Sequence, residues 1–366
     1  VIGCPSGYTP PNCGNPTNGT FNQETDAYNA VDNDTWALFA QGIFQLTDRL
    51  DLTAGVRFSH DEKVFTVTST SVNTGIAGLD GVRLTDDWEE ATPMLSLKYQ
   101  LRPDAVLYGS VSTGFKSGGW NLRTSNPAEL RSFEPETVTA YEVGLKSEWL
   151  DQRLRLNAAV FYNDYEDLQL QYVIPLGYQA LTVVGNVAKA TVKGFEFELT
   201  AKPNPNFDLN LGIGYMDDEF KELDPELAND RNRVTQKAVI SLDTQLPKAP
   251  EWTRNLGLKY TFPLEGGAEL AVRGDYRYTS EYFHRFNNEA LSAAGLRPAL
   301  GLVSTYVAYT PANGQWELAL SGTNLTDEMY STGGTDAAVG GGLGISAINV
   351  GPPRMWTLTY RKNLGN

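Results

Sequence analysis

The sequence predicts an all-β fold: an antiparallel transmembrane β-barrel, with about 13 strands in these residues. Three observations carry this. Apolar and polar residues alternate over stretches often ten residues long or more. Short turns and longer polar loops join those stretches by turns. No run of about 18 apolar residues occurs, so no transmembrane helix is encoded; a barrel strand shows lipid only every second residue.

The alternation recurs along the whole chain. Leu52, Ala54, Val56 and Phe58 share one face, and Thr53, Gly55, Arg57 and Ser59 the other. Leu154, Leu156, Val160 and Tyr162 alternate with Arg153, Arg155 and Asn157. Phe195, Phe197 and Leu199 alternate with Glu196 and Glu198. Phe207, Leu209, Leu211, Ile213 and Tyr215 follow the same rule, as do Leu270, Val272, Tyr276 and Tyr278. Trp316, Leu318 and Leu320, then Trp356, Leu358 and Tyr360, complete the series. A period of two puts each set on its own face of a strand. A soluble sandwich alternates as well, but its strands are typically about 5–6 residues. Here the polar face also carries both signs of charge, as in Glu269, Arg273, Asp275 and Arg277, which a water-filled lumen tolerates. Aromatics stand at strand ends (Phe44, Tyr99, Trp149, Phe262, Trp316 and Trp356), as in the girdles at a membrane interface.

Short turns are expected at 47–49, 102–104, 151–152, 204–206, 265–267 and 312–314. Longer loops are expected near 69–85, 118–135, 174–181, 219–250, 285–298 and 326–349. Outer-membrane barrels keep short turns on the periplasmic side and long loops outside. Residues 1–31 then read as an extracellular loop and residues 32–366 as the barrel. An odd number of strands that starts outside does not close an antiparallel barrel, so further strands are expected upstream. Val1 to Pro11 do not read as a signal peptide. Cys4 and Cys13 are spaced for a small disulfide loop in an oxidising compartment, or are two free thiols. The net charge of −15 argues against general nucleic-acid binding, which needs a basic footprint.

Several stretches resemble TonB-dependent outer-membrane receptors of the siderophore-receptor type. One is Tyr108 to Asn121, containing Gly114-Phe115-Lys116-Ser117-Gly118-Gly119-Trp120. Others are Glu136 to Lys146, Asn186 to Glu196, Asn324-Leu325-Thr326-Asp327 with Tyr330, and Gly351 to Leu358. Their order and spacing carry the resemblance, over about residues 36–361. It implies a barrel of about 22 strands with a plugged lumen. It also implies energised import of a scarce ligand through the TonB complex. A ferric siderophore is the default; haem, cobalamin and plant- or glycan-derived ligands stay open. Neither the family's plug domain nor a TonB box is found in these residues, so the chain reads as the C-terminal, incomplete part of such a barrel. Tyr360 stands where the family has a terminal aromatic, but six residues follow it.

Candidate ligand contacts are the loop aromatics Trp120, Tyr172, Tyr178, Tyr282, Phe283, Phe286 and Tyr330. Interfacial anchoring or packing between loops is the plainer reading of each. Lys116 with Arg123 and Arg131 suits an anionic chelate, or equally lipopolysaccharide phosphates or solvent. His60 and His284 are the only histidines and make no metal pair. The acidic run from Asp217 to Glu226 lacks the spacing of a calcium loop. No catalytic motif occurs and no cofactor is expected. Outer-membrane lipid and lipopolysaccharide are expected partners. The rival readings are a passive porin-like channel and, further off, an outer-membrane enzyme.

Overall fold

The computed structural model describes residues 24–72, 79–121, 130–176, 179–225, 227, 240–284, 295–336 and 346–363. Cys4, Cys13, Arg123, Tyr178 and Phe286 lie outside these residues. The first strands are β1 (Glu24–Thr47), β2 (Leu50–Val72), β3 (Leu79–Arg102) and β4 (Ala105–Lys116). A small pair, β5 (Gly119–Trp120) and β6 (Ser132–Phe133), precedes β7 (Glu136–Trp149). Next come β8 (Leu154–Leu176), β9 (Gln179–Asn204), β10 (Phe207–Leu223), β11 (Trp252–Pro263) and β12 (Glu269–Thr279). A second small pair is β13 (Tyr282–Phe283) with β14 (Leu296–Arg297), followed by β15 (Leu300–Thr310) and β16 (Trp316–Thr323). The last are β17 (Ser331–Asp336), β18 (Ser346–Val350) and β19 (Met355–Lys362).

Thirteen strands form one antiparallel sheet in the order β1-β2-β3-β4-β7-β8-β9-β10-β11-β12-β15-β16-β19. The six others form three two-stranded hairpins. Each neighbour in the large sheet follows the last along the chain, a meander, so register is set locally by turns. β1 and β19 each have a single neighbour, so the sheet has two open edges.

Register aligns the faces expected from alternation. Leu145 pairs with Ala158, Ala158 with Phe197, and Phe197 with Ile213, all on the apolar face. Val143, Val160 and Tyr260 on that face are exposed, as lipid-facing side chains would be. The opposite face is ionic. Asp51 meets Lys98 at 3.6 Å, and Arg155 meets Glu148 at 2.7 Å. Asp208 lies between Lys202 and Lys259. Arg273 meets Asp275 at 2.7 Å, and Arg361 meets Glu317 at 3.1 Å. These groups stay partly exposed, so each pair adds only about 0–1 kcal/mol. Their significance is that they make one face wet.

The short turns fall together at one end of the sheet. There Arg102 lies 3.4 Å over the Trp149 ring, tying the ends of β3 and β7. Asn313-Gly314 turns the chain before β16, with Gly314 at φ 62. The other end departs from expectation. The loops expected near 69–85, 174–181 and 219–250 are partly strand, because β2, β3, β8, β9 and β10 run on well past the 9–11 residues that cross a bilayer. The last loop holds the β17–β18 hairpin. β1 begins at Glu24, so the boundary expected at residue 32 falls inside a strand. The hydrophobic pattern there is weak, and pairing with β2 carries the strand.

Candidate functional site

The strand extensions change the chemistry of the polar face. On β2 that face runs Arg57, Ser59, Asp61, Lys63, then Phe65 and Val67. Above Lys63 it becomes apolar, and Phe65, Val67, Leu79, Trp88 and Trp120 form a buried cluster. The β5–β6 hairpin brings Trp120 to it. Phe65 and Trp120 stack at 6.0 Å, and Trp88 meets Trp120 edge-on at 5.7 Å. Lys63 Nζ donates to the Gly118 carbonyl at 2.6 Å and lies 5.2 Å from the Trp88 ring. Trp88 Nε1 donates to Glu134. A Cβ on Gly118 would sit 2.5 Å from the Phe133 carbonyl oxygen and from the Trp88 indole, so only glycine fits. The hairpin is therefore folded onto the polar face of the sheet.

Two amides hold it there. Gln169 Nε2 donates to the carbonyls of Ser117 at 3.1 Å and Glu134 at 2.9 Å. Asn186 accepts from the Glu134 N–H at 2.7 Å and donates to the Glu134 and Asp167 carbonyls. A second buried cluster, including Leu170, Tyr172, Val183, Phe220, Leu227 and Ile240, fixes the segment after β10 over the extensions of β8, β9 and β10.

A third group lies under the last two hairpins. Arg297 donates to the Tyr282 hydroxyl at 2.8 Å and lies 5.0 Å from the Tyr282 ring and 5.9 Å from that of Tyr330. Its Nε is buried without a hydrogen-bond partner. His284 is buried against Tyr282, and its Nε2 meets Ser331 Oγ at 2.9 Å, while Nδ1 has no partner. Burial first, then the charges of Arg297 and Lys248, push the imidazole pKa down from its ordinary value. A cation and phenolic rings thus meet at the loop end, with unused hydrogen-bonding capacity.

Below that group, Asn324 is a clamp. At φ 49 its side chain accepts from the Glu328 N–H at 2.9 Å and donates to the Glu328 and Pro352 carbonyls. Leu325 N–H donates to the Val303 carbonyl, and Arg354 N–H donates to Asp327 at 2.9 Å. The Asn324-Leu325-Thr326-Asp327 stretch thus ties the exit of β16 to the start of β19.

The expected ligand residues are not all brought together. Tyr282 and Tyr330 lie in the third group, partly buried, while Phe283, also partly buried, pairs with Leu296. Trp120 and Tyr172 are buried in two separate packing clusters. Lys116 is exposed, 4.0 Å from Glu136, and Gly114 packs its backbone near Val138. Phe115 pairs with Thr137 and Ser117 gives its carbonyl to Gln169. Gly119 lies against the Phe133 ring. His60 stacks on Trp36 at 5.3 Å and contacts Glu89 at 3.3 Å. Carboxylates of the acidic run alternate between faces of β10: Asp217 pairs with Lys193, while Asp218 accepts from the Leu246 N–H. No cluster of metal-ligating side chains occurs among the described residues. Sequence reasoning missed Phe65, Trp88, Gln169, Asn186 and Arg297 as site builders. The one available signal was a run of apolar residues at polar-face positions, Phe65, Val67 and Trp88.

Comparison with known proteins places this geometry. A family model described as TonB dependent receptor-like, beta-barrel matches residues 5–325. The pesticin receptor of Yersinia enterocolitica is 32% identical over 204 residues, covering 55% of this chain and 28% of the receptor. The metal-pseudopaline receptor CntO of Pseudomonas aeruginosa is 25% identical over 306 residues, covering 83% and 38%. The crystal structure of the ferric yersiniabactin uptake receptor FyuA from Yersinia pestis superposes with a TM-score of 0.74 at 20% identity, over 92% of this chain and 47% of that one. The chain spans less than half the length of each of these relatives.

Proposed function

The chain belongs to the TonB-dependent receptor β-barrel family, and we propose that it is the C-terminal barrel portion of a receptor that imports a ferric siderophore, energised through TonB. The observation that carries the ligand class is Arg297, held between Tyr282 and Tyr330 with a buried, unpartnered Nε. A cation between phenolic faces suits an anionic chelate with flat organic arms. Beneath it the ionic face of the sheet provides a wet wall for passage. The names of two relatives point the same way, to ferric yersiniabactin and metal-pseudopaline.

The test is uptake of radiolabelled ferric siderophores by cells carrying the complete receptor, with and without TonB. Uptake of one chelate class that needs TonB is expected. Arg297→Ala should weaken that chelate's binding about tenfold, the loss of one charge-assisted contact. Passage of small hydrophilic solutes without TonB would instead mark a passive channel.

A further inference from the structure

The loop end holds one buried imidazole whose charged neighbours are both cations. His284 follows β13, and its N–H donates to the Gly295 carbonyl at 2.8 Å, which continues the β13–β14 pairing. Tyr282 pairs with Arg297, so a period of two puts Tyr282, Arg297 and His284 on one face of that hairpin. His284 and Arg297 are diagonal neighbours there, about 7–8 Å apart along the backbone, a gap that long side chains span. Both pack against the Tyr282 ring, at 5.4 Å and 5.0 Å. Facing them is the entry to β17. Tyr330 lies 5.9 Å from Arg297, and Ser331 Oγ lies 2.9 Å from His284 Nε2. That side is anchored, because the Tyr330 ring packs on the backbone of Gly351 and its carbonyl accepts from the Gly351 N–H.

Two nitrogens in this interface are buried without a hydrogen-bond partner, His284 Nδ1 and Arg297 Nε. His284 as a whole is 5% exposed. The charged groups that act on it are Arg297, on β14, and Lys248, whose backbone N–H donates to the Phe283 carbonyl. The phenols of Tyr282 and Tyr330 are the titratable groups of the facing elements. Among the described residues no carboxylate pairs with His284, Arg297 or Lys248. Burial and the two cations keep the imidazole neutral while the hairpin is closed. A proton on His284 therefore favours the lifted hairpin until a negative charge arrives. Lifting also uncovers Arg297 Nε, so proton uptake and access to the cation go together.

We propose that the lifted β13–β14 hairpin forms a proton-linked carboxylate seat, in which Arg297 Nε–H and the Nδ1–H of a protonated His284 donate to one carboxylate group. The proton comes from solvent, and no covalent bond forms or breaks. Two charge-assisted donors on diagonal positions suit the two oxygens of a carboxylate, and the bound anion compensates the proton that the empty seat rejects. The inference rests on the reading that Arg297 meets the imported chelate, and it names a carboxylate as the group that is met. Capture by this seat strengthens as pH falls, because each bound carboxylate brings one proton with it.

The test is calorimetric titration of the complete receptor, purified in mild detergent, with benzoate as the probe: one carboxylate on one flat ring. Buffers of different ionisation enthalpy count the protons exchanged. Uptake of about one proton per benzoate is expected at pH 7.5, with affinity rising about tenfold for each unit that pH falls toward 6.5. Arg297→Gln should weaken binding about tenfold. His284→Gln offers Ser331 a neutral hydrogen-bonding group and takes up no proton, so its benzoate binding should be independent of pH. Heat-modifiable migration reports folding of each variant, and the wild-type proton count decides the matter if a variant does not fold. Benzoate binding without proton uptake would overturn the proposal, as would proton uptake that persists in folded His284→Gln, benzyl alcohol binding as tightly as benzoate, or no benzoate binding in the wild type. Transport is not read in this experiment, so a failure of TonB-dependent uptake would sink the import reading separately.

Discussion

At the scale of single residues, backbone geometry and unmet hydrogen bonds do most of the specifying. Gly118 has no room for a Cβ beside Trp88 and the Phe133 carbonyl. Gly118→Ala should loosen the β5–β6 hairpin by about 1–3 kcal/mol, the usual cost of overpacking. Faster hydrogen exchange confined to that hairpin would register it. Asn324 combines a left-handed φ with three side-chain hydrogen bonds. Asn324→Ala should lower the unfolding temperature of the barrel, at a cost of about 1–3 kcal/mol. Asn324→Gly, which restores only the backbone freedom, should recover part of it. His284 gives a pH dependence. Its folded-state pKa is depressed, so as pH falls the opened loop takes up a proton before the packed one does. Its contribution is complete above about 6.5 and is lost as pH falls through the lower folded value. Protection from hydrogen exchange at β13–β14 and β17–β18, taken relative to the intrinsic rate at each pH, should therefore fall between pH 7.5 and pH 5, and His284→Phe should abolish the fall.

At the scale of elements, the membrane-crossing parts were legible in the sequence and the extensions were not. Alternation such as Leu154 to Tyr162 reads directly, because lipid on one side and water on the other impose a period of two. The short turns read equally well, since Asn313-Gly314 and Arg102-Pro103-Asp104 carry their own geometry. Beyond the bilayer the rule fails. Phe65, Val67 and Phe220 occupy polar-face positions yet are buried, because the β5–β6 hairpin and the segment after β10 replace water there. The β5–β6 and β13–β14 pairs have two residues per strand, too short for any periodicity. The β5–β6 pair is held by Gln169 and Asn186, which reach partners 35 and 52 residues away. Local sequence holds no record of such contacts. Trp120 and Tyr172, loop aromatics whose plainer reading is anchoring or packing, lie in packing clusters. Gln169→Ala removes the side-chain donor shared by the Lys116, Ser117 and Glu134 carbonyls, of which Glu134 keeps Asn186, so proteolytic nicking between β4 and β7 should rise several-fold while the barrel strands stay protected.

At the scale of the whole molecule, one sheet separates three environments. Its apolar face meets lipid, its ionic face lines a wet interior, and its long-loop end gathers aromatic and cationic groups. The two open edges, β1 and β19, present unpaired backbone, which is a template for association. The 366 residues expressed alone should therefore aggregate or associate rather than form a monomeric pore, as size-exclusion and conductance measurements on refolded chain would reveal. The orientation of this sheet underlies both the import reading and the carboxylate seat. The most direct test is labelling of intact cells with a membrane-impermeant maleimide, in receptors whose native cysteines are replaced by serine. Met329→Cys, at an 87% exposed position at the loop end, should label on intact cells. Asn313→Cys, in a short turn, should label only after the outer membrane is opened. The reverse pattern, or equal labelling of both, would contradict the orientation and the account built on it.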